Sequence, residues 1–402
     1  MKTILLIILI IVLLNQRTLG QFCEECLKKN DDNETLMNIK SIAEMPTSVI
    51  WEDATVENIE IYTCISGQRC VLRKAFYITY GGFNYWVARQ LNQSKDIDAQ
   101  CRVYDSIVDS VYGIGNTFSW DNKFYLPSDK MEKYNPEDFM DLVSSKNYDP
   151  FYLTYLLPTS LVESKYFFAS LINYDCTGVT FGFVQFAAHT QNYNFVLLLK
   201  GFIKEYPEIA KKYFKDLIVL DDRIHRVINE NTNEVLENNT STEGLENYFK
   251  PNYNYISDSE ILNAAKLMHL SQFRKEFREN QVLLAKKIII DDLLNTYAHS
   301  ELGILLNNLP DYMLILITDR YHQIGAKKKT REFKNIITKY FVESTDGYNI
   351  ENIKEDVIDK LYGTKYEGRA NDILKYIKKL IEEKKLGVKK YNYDSKSFES
   401  IE

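Results

Sequence analysis

Two carboxylates, Glu163 and Asp175, stand twelve residues apart in contrasting surroundings. Glu163 lies beside Leu161 and Val162 in an apolar run, with Phe167 one helical turn beyond. An acid in such surroundings can hold its proton near neutral pH and pass it to a leaving group. Asp175 lies in a polar turn, Asn173-Tyr-Asp-Cys-Thr-Gly178, where a carboxylate stays ionised. A protonated acid facing an ionised carboxylate is the pair that cleaves glycosidic bonds. Plainer readings stand beside this one. Glu163 also suits the surface of a helix, and an aspartate such as Asp175 routinely caps a turn.

Thr180 and Gln185 follow closely and offer a hydroxyl and an amide to water or to sugar hydroxyls. His189 comes after Ala187-Ala188, with no Ser or Cys partner at a spacing that would make it a nucleophile's base. The elements expected to position these groups are a helix over 160–170, a turn at 173–178 and an aromatic hairpin after it.

The quoted stretch, Leu161-Val-Glu-Ser-Lys-Tyr-Phe-Phe and then Asn173-Tyr-Asp-Cys-Thr-Gly-Val-Thr-Phe-Gly-Phe-Val-Gln-Phe, resembles the lysozyme and lytic transglycosylase superfamily. Within it the nearest likeness is to the chitosanases: Asp175, Gly178, Thr180 and Gly182 fall in register with that family's Asp, Gly, Thr and Gly. The resemblance implies that Glu163 is the general acid, Asp175 the general base and Thr180 the hydroxyl that holds the attacking water. It implies a polysaccharide substrate, a β-1,4-linked amino-sugar polymer such as peptidoglycan, chitin or chitosan, cleaved by an endo-acting glycoside hydrolase. Thr177 stands where the chitosanases carry an arginine. The alternative is therefore a catalytically inactive glycan-binding or interaction protein. A fainter likeness, over 309–325, makes Asp319, His322 and Gln323 candidate sugar contacts; the competing reading is an amphipathic helix end stopped by Gly325.

The fold class expected is mainly α (α+β): a lysozyme-like helical domain with a small β-hairpin lining a cleft, plus a disulfide-containing N-terminal region. The boundaries read from composition are a signal peptide at 1–20, a cysteine-rich region at 21–125, a linker at 126–150, the catalytic domain at 151–386 and a polar, frayed tail at 387–402. Branched and aromatic residues at 59–62 and 71–80 predict strands, and Gly81-Gly82 predicts a turn. A helix is expected near 101–111, a short one from Pro136, and a long surface loop over 229–255. Ser257-Asp-Ser-Glu260 reads as a capping box opening a helix. Apolar stripes at 350–361 and 373–381 predict two more.

An 11-residue apolar run at 4–14 follows Lys2 and precedes the small residues Thr18 and Gly20. That is a signal peptide too short to span a membrane, and it predicts a secreted protein or one of the secretory or lysosomal lumen, with no membrane attachment after cleavage. Six cysteines, Cys23, Cys26, Cys64, Cys70, Cys101 and Cys176, then read as disulfide candidates with open connectivity. If all six pair with one another, Cys176 must join the N-terminal region. The sequons Asn33, Asn92, Asn238 and Asn239 are candidate glycosylation sites.

The formal net charge of -7 argues against a nucleic-acid partner. No phosphate loop, dinucleotide fingerprint or zinc-ligand spacing is present, so no metal and no cofactor is expected. The 29 tyrosines and 21 phenylalanines suit sugar stacking, yet asparagine, lysine and isoleucine are raised with them, which reads as compositional bias.

Overall fold

The computed structural model describes residues 34–65, 69–93, 102–106, 130–172, 178–191, 193–252, 255–292, 309–324, 330–339, 354–363, 366–392, 394–395 and 397–401. The chain divides into two compact units, Met1–Lys133 with Phe167–Arg278, and Tyr134–Tyr166 with Glu279–Glu402.

In the first unit, β1 (Ile39–Lys40), β2 (Thr55–Ile65), β3 (Arg69–Tyr80), β4 (Phe83–Gln93) and β5 (Arg102–Ser106) form one sheet. β2, β3 and β4 are an antiparallel meander; β1 pairs with β4 in parallel and β5 antiparallel. Gly81 and Gly82 sit at φ +59° and +80° between the paired Tyr80 and Phe83. Two consecutive left-handed residues make the tight hairpin turn whose twist matches the strands. Two smaller three-stranded sheets follow. One is β6 (Leu171–Ile172), β7 (Thr180–Phe181) and β8 (Phe186–Ala187); the other is β9 (Leu217–Leu220), β10 (Arg223–Asn229) and β11 (Thr232–Val235).

The helices Asn194–Glu205, Glu243–Phe249 and Asp258–Phe273 bury an aromatic core in this unit. Phe195 meets Phe249 edge to face at 5.1 Å, and Phe202 meets Phe277 at 4.8 Å. Ser257 starts the longest of these helices: its hydroxyl accepts from the Glu260 amide at 3.3 Å.

The second unit is built around the helix Asp311–Ile324, in which every residue from Asp311 to Tyr321 is buried. A helix apolar on all sides belongs inside. The helices Phe151–Tyr155, Leu157–Ser164 and Glu367–Glu382 belong to the same unit, as does a hairpin of β12 (Lys389–Asn392) and β13 (Ser397–Ser400). Asp311 secures that hairpin by accepting the backbone amides of Gly387, Val388 and Lys389 at 2.7, 3.3 and 3.0 Å.

The mainly helical expectation is overturned. The described residues carry thirteen strands in four sheets, so the architecture is mixed α and β. Arg102–Ser106 is a strand and not a helix, because its backbone pairs with β4. The supposed linker buries Met131, Tyr134, Phe139 and Val143, and the helix from Pro136 lies within it. The supposed loop at 229–255 holds β11 and the helix Glu243–Phe249. The supposed frayed tail is the β12–β13 hairpin, with Tyr391 and Phe398 buried. The expected 151–386 domain is divided between the two units.

The signal-peptide segment, Cys23, Cys26, Cys101, Cys176 and Asn33 lie outside the described residues, as do the side chains of Cys64, Cys70 and Asn92. The backbones of Cys64 and Cys70 are register partners across β2 and β3. Asn239 is exposed, whereas Asn238 is half-buried and accepts from Thr240 and Ser241 of its own turn. No helix among the described residues is long and apolar enough to cross a membrane.

Candidate functional site

The helix Leu157–Ser164 carries Glu163 at its last turn. Pro158 begins it, at a position where no backbone donor is needed. The helix stops where Lys165 and Tyr166 both turn left-handed, at φ +52° and +75°. It therefore starts earlier and stops earlier than the 160–170 expected. Two non-glycine residues in that region cost roughly 1–2 kcal/mol each, and such strain concentrates at functional positions.

Three other segments of the same unit converge on Glu163. The buried helix Asp311–Ile324 brings Asp319, the π-helical turn Val357–Tyr362 brings Tyr362, and the first turn of Glu367–Glu382 brings Arg369. The Arg369 guanidinium is the hub. It donates from Nη2 to Asp319 Oδ1 at 2.6 Å and from Nε to Asp319 Oδ2 at 3.2 Å. From Nη2 it also reaches Glu163 Oε1 at 2.7 Å. The Tyr362 hydroxyl donates to Asp319 Oδ2 at 2.7 Å. The Asp319 side chain is 0% exposed, and the Glu163 side chain is 15% exposed.

The electrostatics follow from this geometry. Burial works against the Arg369 charge, but Asp319 and then Glu163 outweigh it and hold its pKa well above the ordinary value. Burial, reinforced by Asp319, pushes the Tyr362 phenol far up, so it stays a donor. Asp319 owns the guanidinium through two bonds, and Glu163 shares it through one. Among the described residues Glu163 Oε2 has no hydrogen-bond partner. The arrangement fixes one Glu163 oxygen and leaves the other without a hydrogen bond among the described residues.

Of the late-helix candidates, Asp319 is therefore in the cluster, but as a buried anchor out of reach of a polymer. Gln323 is half-buried and accepts from the Arg320 guanidinium, and His322 is half-buried. Arg320 also donates to the Leu361 carbonyl at 2.7 Å and lies over the rings of Tyr362 and Tyr366.

The remaining candidates stand in the first unit. Thr180 lies in β7 and is buried. Gln185 is 7% exposed, at φ +58° in the β7–β8 turn. Its amide donates to Ser170 Oγ and to the Gly182 carbonyl, both at 2.8 Å. That makes it a brace for the hairpin, in place of the sugar contact expected. His189 is exposed. Asp175 lies outside the described residues.

Arg369 and Tyr362 escaped the sequence reading. One signal was present: a cation in the first turn of a helix opposes the helix dipole and needs another reason to be there. No protein-family model, no curated protein and no solved structure matches the chain.

Proposed function

We propose that the chain is a glycoside hydrolase in which Glu163 protonates the leaving glycosidic oxygen. The observation that supports this most is the half-tethered carboxylate. Arg369 holds Glu163 Oε1, while Oε2 is unpartnered in a side chain that keeps some exposure. A general acid must be fixed in direction and have one oxygen able to carry the proton. Arg369 is a positioning residue, itself anchored by the buried Asp319. The substrate class, a β-1,4-linked amino-sugar polymer, rests on the local likeness of the Glu163-Ser164 and 175–185 segments to chitosanases and lytic transglycosylases. The leader-like N-terminus supports action outside the cytoplasm.

The test uses the purified chain with peptidoglycan, chitin and chitosan, and measures new reducing ends. The expected result is release from one of the three, falling by about 10²–10⁴ in Glu163→Gln, the usual worth of a general acid. An unchanged circular dichroism spectrum shows that the variant is folded. Release from none of the polymers, or normal turnover by Glu163→Gln, overturns the proposal. One observation favours a second reading, a glycan-binding protein without turnover: Glu163 is already ion-paired. Polymer binding without release of reducing ends would support it.

A further inference from the structure

The first unit contains a cavity of about 350 Å³ whose wall includes Trp51, Tyr213 and Tyr248. That is within the size range of small-molecule sites. Its charges do not balance. Lys212, Lys215, Arg226 and Lys266 line it, against only two carboxylates, Glu52 and Asp216.

Both carboxylates are already engaged. Lys215 Nζ lies 2.6 Å from Glu52 Oε1. Arg226 Nε donates to Asp216 Oδ2 at 3.1 Å, and the Tyr248 hydroxyl donates to Asp216 Oδ1 at 2.8 Å. Lys212 and Lys266 are left without an ion pair or hydrogen bond among the described residues. Lys212 is exposed, and water can satisfy it. Lys266 is half-buried on the helix Asp258–Phe273, its ammonium 5.8 Å from the Phe214 ring, and Asp216 and Glu52 attract it only from beyond ion-pair distance. Burial holds the Lys266 amine below its ordinary value. Two carboxylates shared among four cations leave the sheltered Lys266 incompletely compensated, and a bound anion would complete it.

We propose that this cavity binds a small phosphate monoester, with the phosphate met by Lys212 and Lys266 and the organic part lying against the aromatic wall. A dianion matches the two unbalanced ammonium groups, and lysine serves phosphate well as a point charge. The ring face of Trp51, packed on Tyr213 at 5.9 Å, gives that wall a fixed shape. This site lies wholly within the first unit and does not depend on the Glu163 reading.

Calorimetric titration of the full chain with glucose 6-phosphate, glucose and inorganic phosphate tests the site. Glucose 6-phosphate should bind, and more tightly than inorganic phosphate, while glucose should not. Lys266→Met should weaken binding about tenfold or more, since a charged group opposite a desolvated partner is lost. Lys212→Met should weaken it about threefold, the effect of one solvated charge at close range. Glu52→Gln frees Lys215 and should tighten binding by a similar factor, about threefold. Lys146→Met, exposed in the other unit, should change nothing. Lys212 and Glu52 are on the surface, so these variants fold whatever Lys266→Met does. The proposal is overturned if the wild type does not bind glucose 6-phosphate. It is also overturned if inorganic phosphate binds equally well, or if affinity is unmoved in both Lys212→Met and Glu52→Gln.

Discussion

Replacing Arg369 by methionine removes the charge that two carboxylates share, and the structure says how unequally they will suffer. The Asp319 side chain is 0% exposed and would keep only the Tyr362 hydroxyl after losing both guanidinium bonds. Stranding one member of a buried pair costs about 3–5 kcal/mol. The Glu163 side chain retains 15% exposure and can turn toward water, so its loss adds at most about 1 kcal/mol. Arg369→Met should therefore destabilise by about 3–5 kcal/mol. Glu163→Gln should destabilise by about 1 kcal/mol or less, because the new amide oxygen still accepts from Arg369. The double variant Arg369→Met with Asp319→Asn leaves no fully buried charge unpaired, since only the partly exposed Glu163 loses its partner. It should be more stable than the sum of its singles by about 2 kcal/mol, within the range measured for directly coupled groups. Urea unfolding at pH 7 of the wild type, the three single variants and the double variant, followed by circular dichroism, gives these numbers. The reasoning fails if Arg369→Met costs no more than Glu163→Gln, or if the Arg369 and Asp319 losses simply add.

Two further predictions concern stability. His269 is 0% exposed; its Nε2 lies 2.8 Å from the Pro46 carbonyl, so it carries the hydrogen, and Nδ1 then accepts from the Tyr213 hydroxyl at 2.8 Å. Burial pushes this imidazole from 6.5 down to about 4. A depressed histidine contributes fully above its unfolded pKa, and the contribution is lost as the pH falls from 6.5 toward 4, about 3 kcal/mol in all. Unfolding at pH 7.5 and 4.5 should show that loss in the wild type and a smaller one in His269→Phe; equal slopes would refute it. Asp311→Ala leaves three part-buried backbone amides without their acceptor and should destabilise by about 2 kcal/mol. The Gly387–Lys389 amides should then exchange with deuterium faster, and unchanged protection would count against Asp311 as the anchor.

The elements legible in the sequence are those decided locally. The β2–β3 pair announced itself through branched and aromatic residues, the β3–β4 turn through two glycines, and the helix Asp258–Phe273 through its serine cap. Elements decided by distant partners were not legible. β5 is a strand because β4 offers it an edge, and propensity yields to such pairing. The β12–β13 hairpin looked frayed because its buried aromatics Tyr391 and Phe398 are scattered among lysines and serines. The division of the chain, with 134–166 belonging to the same unit as 279–402, involves no local signal at all.

The candidate site shows the same split. Glu163 was conspicuous as an acid in an apolar run. Arg369, 206 residues later, was not, although it decides how Glu163 is held. Asp319 was noticed as a sugar contact and is an anchor, a difference that only burial reveals.

The proton-donor role of Glu163 is tested most directly by changing the leaving group. An aryl chitooligosaccharide with a dinitrophenolate leaving group needs no protonation to depart, whereas a sugar hydroxyl does. The account predicts that Glu163→Gln loses polymer cleavage by about 10²–10⁴ yet keeps cleavage of the dinitrophenyl substrate within about tenfold of wild type. Equal losses on both substrates, or no loss on either, would contradict it.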